Sequence, residues 1–156
     1  MNDKIKKKIA RGKSSARIMA LQALYQQDVS GELEDNDAGI LSGKIADLYA
    51  DNKELELPGK ADQKLLQKLI EGTCKKKAEL DNHIAGHLIG GWDLERLGAT
   101  LRGILRLGVY EIKFSEAPIK VIIKEYINLT DEFVGEKEAK FVNGILDKIA
   151  HQIRNG

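Results

Sequence analysis

Residues 118–150 have the sequence PIKVIIKEYINLTDEFVGEKEAKFVNGILDKIA, and this stretch decides the fold class. Its apolar residues recur at steps of three and four, which is the spacing of one face of an α-helix. Pro118 suits the first turn of a helix, and Gly135 suits the end of that helix. Glu136 and Glu138 then open the next helix, where acidic side chains complement the helix dipole. We therefore predict two consecutive amphipathic helices here.

The same helical period runs through the rest of the chain. Five more apolar stripes precede residue 118, within residues 18–29, 41–49, 65–73, 80–88 and 97–112. Ser14 or Ser15 is the expected N-cap of the first, Asp62 of the third and Asp93 of the fifth. Only two prolines and 5% aromatic residues occur in 156 residues, a composition that favours helices. The prediction is an all-α fold of about seven helices.

The domain organisation follows from the composition of the two ends. Residues 1–13 are predicted to form a basic N-terminal arm, and residues 14–156 a single helical domain. If this domain has two halves, Gly90 and Gly91 are the expected junction. Gly98, Gly103 and Gly108 lie inside one predicted helix, where each costs about 1 kcal/mol relative to alanine. We therefore expect either an interruption of that helix or the close approach of another helix.

The charges of the chain are unevenly distributed. Residues 1–17 contain seven basic residues and one acidic residue, whereas residues 31–62 contain nine acidic and three basic residues. The formal net charge of the whole chain is nevertheless only +1. The arm lacks the apolar stretch of a signal peptide and the apolar face of a membrane-surface helix. We therefore favour nucleic acid as the partner of the arm over a solubilising role.

Other features of the sequence argue against several classes of protein. The single cysteine, Cys74, cannot form an internal disulfide, and no window of about 18 apolar residues predicts a spanning helix. A cytoplasmic protein with no membrane partner is the expectation. The glycines lack the lysine and hydroxyl residue of a phosphate loop, and no catalytic triad or carboxylate pair is recognisable. We predict no catalytic residue and no cofactor.

One pair of histidines has the spacing of metal ligands. His83 and His87 stand one helical turn apart, with Asp81 nearby. A metal site would need at least one more ligand, and the sequence suggests none. A packed, hydrogen-bonded His87 is the favoured interpretation over a metal site. For Cys74, beside Lys75, we likewise favour a buried thiol over an activated one.

Three stretches, in this order, resemble the NusB family over nearly the entire chain. They are the basic arm leading into LQALY at residues 21–25, ILRLGVYE at residues 104–111, and FVNGILD at residues 141–147. The resemblance implies two helical subdomains and no catalytic activity. It further implies a transcription antitermination factor that pairs with the ribosomal protein NusE and binds boxA-like single-stranded RNA of ribosomal RNA leaders. Other Nus factors and RNA polymerase are then partners in the same complex.

The resemblance also implies which residues contact RNA. They are Lys7, Lys8, Arg11, Lys13, Arg17, Tyr25, Lys137, Lys140 and Phe141. Cationic side chains neutralise phosphates, and aromatic rings stack on unpaired bases, so this combination suits single-stranded RNA. Because Tyr25 follows Arg17 by eight residues, a little over two helical turns, we expect the two to share a face. The alternative is that Tyr25 and Phe141 are core residues, as most aromatic residues at helical spacing are.

Two other functions stay open on the sequence alone. A NusB-like domain also occurs at the N-terminus of some ribosomal RNA cytosine methyltransferases, and a helical protein–protein adaptor would need the basic arm only for solubility. The apolar helix faces, moreover, fit either a homodimer or a pairing with NusE.

Overall fold

The described part of the chain is helical. The computed structural model describes residues 2–30, 43–45, 47, 57–89 and 93–155. Its α-helices are α1 Asp3–Ser30, α2 Gln63–Lys75, α3 Lys77–Ala85, α4 Ala99–Phe114, α5 Ile119–Phe133 and α6 Glu136–Ala150. A 3-10 helix, Leu94–Leu97, precedes α4, and a π-helical turn, His151–Asn155, follows α6. No β-strand occurs in the described ranges, and the all-α prediction is confirmed.

The second predicted helix falls mostly beyond what the structure describes. Residues 43–45 and 47 are helical, and Ile45 is buried. Leu41, Leu48 and Tyr49, which complete its predicted stripe, lie outside the described residues. Among the helices that are described, none has both the length and the apolar character needed to cross a bilayer.

The first helix begins earlier than predicted. The Oδ1 atom of Asn2 accepts a hydrogen bond from the backbone N–H of Ile5 at 2.9 Å, so Asn2 supplies the N-cap. The prediction that Ser14 or Ser15 caps this helix is wrong, because both lie in its interior. The Ser14 hydroxyl donates to the carbonyl of Ala10 one turn earlier. The basic arm is therefore the first part of α1, a preformed helix continuous with the packed part.

The chain divides into two compact units, residues 1–75 and residues 76–156. The junction lies at the turn between α2 and α3, whereas the expected junction, Gly90 and Gly91, lies outside the described residues. Helix α3 belongs to the second unit because it packs on α4. There the guanidinium of Arg106 donates two hydrogen bonds to the carboxylate of Asp81, at 2.7 and 3.0 Å.

The core of the first unit forms between α1 and α2. The small side chains of Ala16, Ala20 and Ala23 are buried on α1, opposite buried leucines and Ile70 of α2. Asp62 caps α2 as predicted, since its Oδ1 accepts from the N–H of Leu65 at 3.0 Å. Cys74 is buried, as favoured from the sequence, and its thiol donates to Oε1 of Gln27 at 3.2 Å.

Helix α4 forms the centre of the second unit. It packs against α3, α5 and α6, and Ile104, Leu105 and Leu107 are fully buried along it. Both explanations offered for its glycines apply. Gly98, with φ of +82°, separates the Asp93-capped 3-10 helix from α4, while Gly108 lies close to α6.

Candidate nucleic-acid interface

One face of α1 carries positive charge at its N-terminal end and an aromatic ring near its C-terminal end. This face, the α1 strip, consists of Lys7, Arg11, Ser14, Ile18, Gln22 and Tyr25, which follow one another at steps of three and four residues. None of the six is buried. The opposite face of α1 packs on α2. The helical period that places the buried residues on that face therefore leaves the strip facing solvent.

The ring of Tyr25 is accessible on this strip, with 41% of the residue exposed. Lys7 precedes Tyr25 by five full helical turns and Arg11 by about four, which places them roughly 27 and 21 Å away along the helix axis. Such a spacing lets an extended polyanion contact the cations with its backbone while one of its bases reaches the ring. Ser14, Ile18 and Gln22 lie on the strip between its two ends and were not among the predicted site residues. Counting the helical period back from Tyr25 would have placed them on this face.

Two more exposed cations flank the strip, namely Lys8 on one side and Lys13 on the other. Within the described ranges, no ion pair involves Lys7, Lys8, Arg11 or Lys13. Their positive charges are therefore not neutralised inside the described protein. Unpaired cations along one helix repel one another and attract anionic ligands.

Arg17 differs from the other cations of the predicted set. It is only 3% exposed, and it has a polar or electrostatic interaction within the protein. The expectation that Arg17 and Tyr25 share an exposed face is wrong. A separation of eight residues turns the helix by about 80° beyond two full turns, which is enough to carry Arg17 onto the buried side. The cations that share the face of Tyr25 are Lys7 and Arg11.

The other three predicted residues belong to the second unit and lie on α6. Lys137, Lys140 and Phe141 are exposed, and Phe141 is 37% exposed. Lys137 and Phe141, one turn apart, line the same cavity of about 700 Å³. Its other lining residues are mostly apolar: Leu88, Ile89, Arg96, Leu97, Leu101, Val134 and Glu138. Lys140 lines a different cavity with Asp131 and Asn143. The alternative that Tyr25 and Phe141 are core residues is wrong, because both are exposed.

The two histidines take part in a hydrogen-bonded chain. The Nζ atom of Lys113 donates to Nε2 of His83 at 2.9 Å, and Nδ1 of His87 donates to the backbone carbonyl of His83 at 3.0 Å. Burial, and secondly the charge of Lys113, lower the pKa of His83. His87 is thus hydrogen-bonded, as favoured from the sequence. The described residues contain no group of three or more His, Cys, Asp or Glu arranged to hold a metal ion.

Comparison with known proteins decides the family. A sequence model described as the NusB family matches residues 14–151. The chain belongs to the NusB family. The transcription antitermination protein NusB of Rhizobium leguminosarum bv. trifolii (strain WSM2304) is 38% identical to it over 152 residues, which cover 94% of this chain and 91% of that protein. The family resemblance seen in the sequence is therefore confirmed.

Solved NusB structures share this fold. The structure of T. maritima NusB superposes with a TM-score of 0.72 at 27% identity, covering 90% of this chain and 91% of that one. A crystal structure of the antitermination factors NusB and NusE in complex with dsRNA has a TM-score of 0.72 at 26% identity, with coverage of 91% and 98%.

Proposed function

We propose that this NusB-family chain is a transcription antitermination factor that binds boxA-like RNA together with NusE. The observation that carries the proposal is the α1 strip, in which Lys7 and Arg11 share an exposed face with Tyr25. The relative from Rhizobium leguminosarum is named a transcription antitermination protein, and a NusB structure of the same fold contains NusE and dsRNA. RNA polymerase and other Nus factors are the further partners that this proposal implies.

In this mechanism the cations supply affinity and the rings supply contacts with bases. Lys7 and Arg11, with Lys8 and Lys13 beside them, neutralise RNA phosphates and release bound counterions. Tyr25 offers a face on which one unpaired base stacks. Arg17 is buried, so this proposal assigns it no phosphate contact.

The second unit contributes a similar combination on α6. Phe141 is the stacking ring, Lys137 is a phosphate contact one turn before it, and Lys140 is a phosphate contact on an adjacent face of the helix. Aromatic stacking tolerates any base, so sequence preference must come from polar contacts with base edges and from NusE. The protein acts in this proposal by binding alone, with no chemical step.

A titration of labelled boxA RNA and a scrambled control, with and without NusE, at two salt concentrations tests the proposal. We expect tighter binding of boxA than of the scrambled RNA, and a further gain when NusE is present. If about four phosphates are neutralised, the logarithm of the association constant should fall with that of the salt concentration at a slope of about −3. Equal binding of both RNAs with a flat salt dependence would contradict the proposal.

A second experiment addresses the ring on α6. Phe141→Ala should weaken RNA binding by about 1–3 kcal/mol through the loss of one stacked base. Val134→Ala is the matched control, since Val134 is also exposed and lines the same cavity. An equal loss in both variants would point to the cavity rather than to stacking.

A separate assay addresses the methyltransferase alternative. Incorporation of methyl groups into ribosomal RNA by the chain would favour that alternative over the proposed function.

A further inference from the structure

The turn formed by residues 59–62 is fastened to the N-terminal half of α1. The Ser15 hydroxyl donates to the carbonyl of Gly59 at 2.7 Å and accepts from the N–H of the same residue at 3.1 Å. The N–H of Asp62 donates to the carbonyl of Gly12 at 3.0 Å. Three hydrogen bonds thus fix this short turn against two positions of one helix.

Two glycines allow the turn to approach the helix closely. An ideal Cβ on Gly12 would lie 2.9 Å from the backbone oxygen of Lys60, and one on Gly59 would lie 3.1 Å from Cβ of Arg11. Any larger residue at position 12 would push the turn away, because the atom it meets belongs to the backbone. The backbone of Lys60 is therefore held directly beside Arg11 and Gly12.

The charge of Lys60 is consequently added to that of the arm. Lys60 is exposed, and in the described ranges no ion pair involves it. Lys8 lies one helical turn before Gly12, so the turn packs on the flank of α1 that carries Lys8. The acid of the turn, Asp62, directs its Oδ1 to the N-terminus of α2, where it accepts from Leu65.

We propose that Lys60 is a further phosphate-binding residue of the RNA site and contacts the strand from the Lys8 flank of the α1 strip. The inference rests on the proposed function, because it assumes that RNA lies along α1. Among the described residues, Lys8, Arg11 and Lys60 lie near one another and none of the three has an acidic partner. Their mutual repulsion costs stability, and a bound RNA backbone would relieve it by neutralising the charges. The contact is made by the side chain of Lys60, whereas the close approach of its backbone is what positions it.

Substitution of Lys60 tests this inference with the full chain, labelled boxA RNA and NusE. Lys60→Ala should weaken binding about five-fold at 0.1 M salt and reduce the magnitude of the salt slope by about 0.7, the value for one phosphate contact with a single strand. Lys60→Arg should retain both the affinity and the slope, and Lys60→Glu should lose more than Lys60→Ala. Lys120→Ala is the matched control, an exposed lysine of α5 in the other unit, and should leave both quantities unchanged.

The double variant Lys7→Ala/Arg11→Ala separates failure of this inference from failure of the proposed function. If the double variant loses affinity and Lys60→Ala binds like the parent protein, Lys60 is not a contact and only this inference is overturned. If neither variant loses affinity, RNA does not lie along α1, and both this inference and the assignment of the α1 strip as the RNA site fail. A thermal melt of each variant accompanies the titration and checks that the variant is folded. If Lys60→Ala loses affinity and Lys60→Arg loses it equally, the charge at position 60 is not the cause and the inference is also overturned.

Discussion

Leu146 of α6 lies against the bare Cα of Gly108 in α4. An ideal Cβ on Gly108 would be 2.9 Å from Cδ1 and 3.0 Å from Cδ2 of Leu146, and both residues are buried. A glycine inside a helix costs about 1 kcal/mol relative to alanine. Here that cost is offset by the close packing of two helices that the missing side chain permits.

Gly108→Leu should therefore destabilise the second unit. The added side chain has no space beside Leu146, and overpacking of this kind costs about 1–3 kcal/mol. The free energy of unfolding in urea is the measurement. Gly144→Ala, on an exposed face of α6 where a Cβ would meet nothing within 4 Å, is the control and should gain up to about 1 kcal/mol. Equal stability of the parent and Gly108→Leu would remove the packing explanation.

Arg154 connects the C-terminal turn to the end of α4. Its guanidinium donates to the backbone carbonyls of Glu111, Ile112, Ser115 and Ala117, at distances from 2.8 to 3.3 Å. The carbonyl of Glu111 also accepts from the N–H of Ser115, whereas the other three lie at or just beyond the C-terminus of the helix, where no intrahelical donor remains. Arg154→Ala should lower the free energy of unfolding by about 1–3 kcal/mol. Gln152 is an exposed neighbour, so Gln152→Ala is the control and should leave the free energy of unfolding unchanged. Similar losses in the two variants would show that the turn stabilises the protein without a specific contribution from the guanidinium.

Arg11 and Arg17 should respond differently to removal of their charge. Arg11 is exposed, so Arg11→Ala should reduce the magnitude of the RNA salt slope by about 0.7 while the melting temperature stays nearly constant. Arg17 is buried with an interaction inside the protein, so Arg17→Ala should lower the melting temperature and leave the salt slope of the folded protein unchanged. If Arg17→Ala reduced the salt slope of RNA binding without lowering the melting temperature, Arg17 would have to contact RNA.

Tyr25 should contribute to RNA binding through its ring. Tyr25→Ala is expected to cost about 1–3 kcal/mol of binding free energy, and Tyr25→Phe should retain most of it, because stacking needs the ring and not the hydroxyl. Val29, one turn later and 61% exposed, provides the control variant Val29→Ala. Titrations at one salt concentration are sufficient, and comparable losses in the Tyr25→Ala and Val29→Ala variants would speak against stacking.

His83 should make stability depend on pH in the acidic range. Because the pKa of His83 is lowered in the folded protein, the unfolded chain binds the proton more readily. Its contribution to stability is therefore present above about pH 6.5, the ordinary pKa of histidine, and is lost as pH falls from there toward the lowered pKa. His83→Gln should reduce the loss of unfolding free energy between pH 7.5 and pH 5. His151→Gln is the control, and a parent protein no more pH-sensitive than His83→Gln would contradict the expectation.

Local patterns were sufficient for most helices. The stripe around Ile122 and Ile123 and the one around Val142 and Leu146 predicted α5 and α6, because a helical period depends only on neighbours three and four residues away. Asp62 was correctly identified as a cap for the same reason, whereas Asp93, predicted to cap the helix of the 97–112 stripe, caps the 3-10 helix before it. The start of α1 was missed because Ser14 and Ser15 have the chemistry of caps, while Asn2 performs that role.

The sequence by itself determined the helices, the family and the concentration of positive charge at the N-terminus, since these depend on residue types and their spacing. Tertiary structure decided which of those charges remain exposed. Arg17 is buried in the folded protein, whereas Lys7 and Arg11 stay exposed in line with Tyr25. The bonds between Ser15 and Gly59, which are 44 residues apart, bring Lys60 to the same helix. Such contacts join segments distant along the chain, and no short-range pattern encodes them.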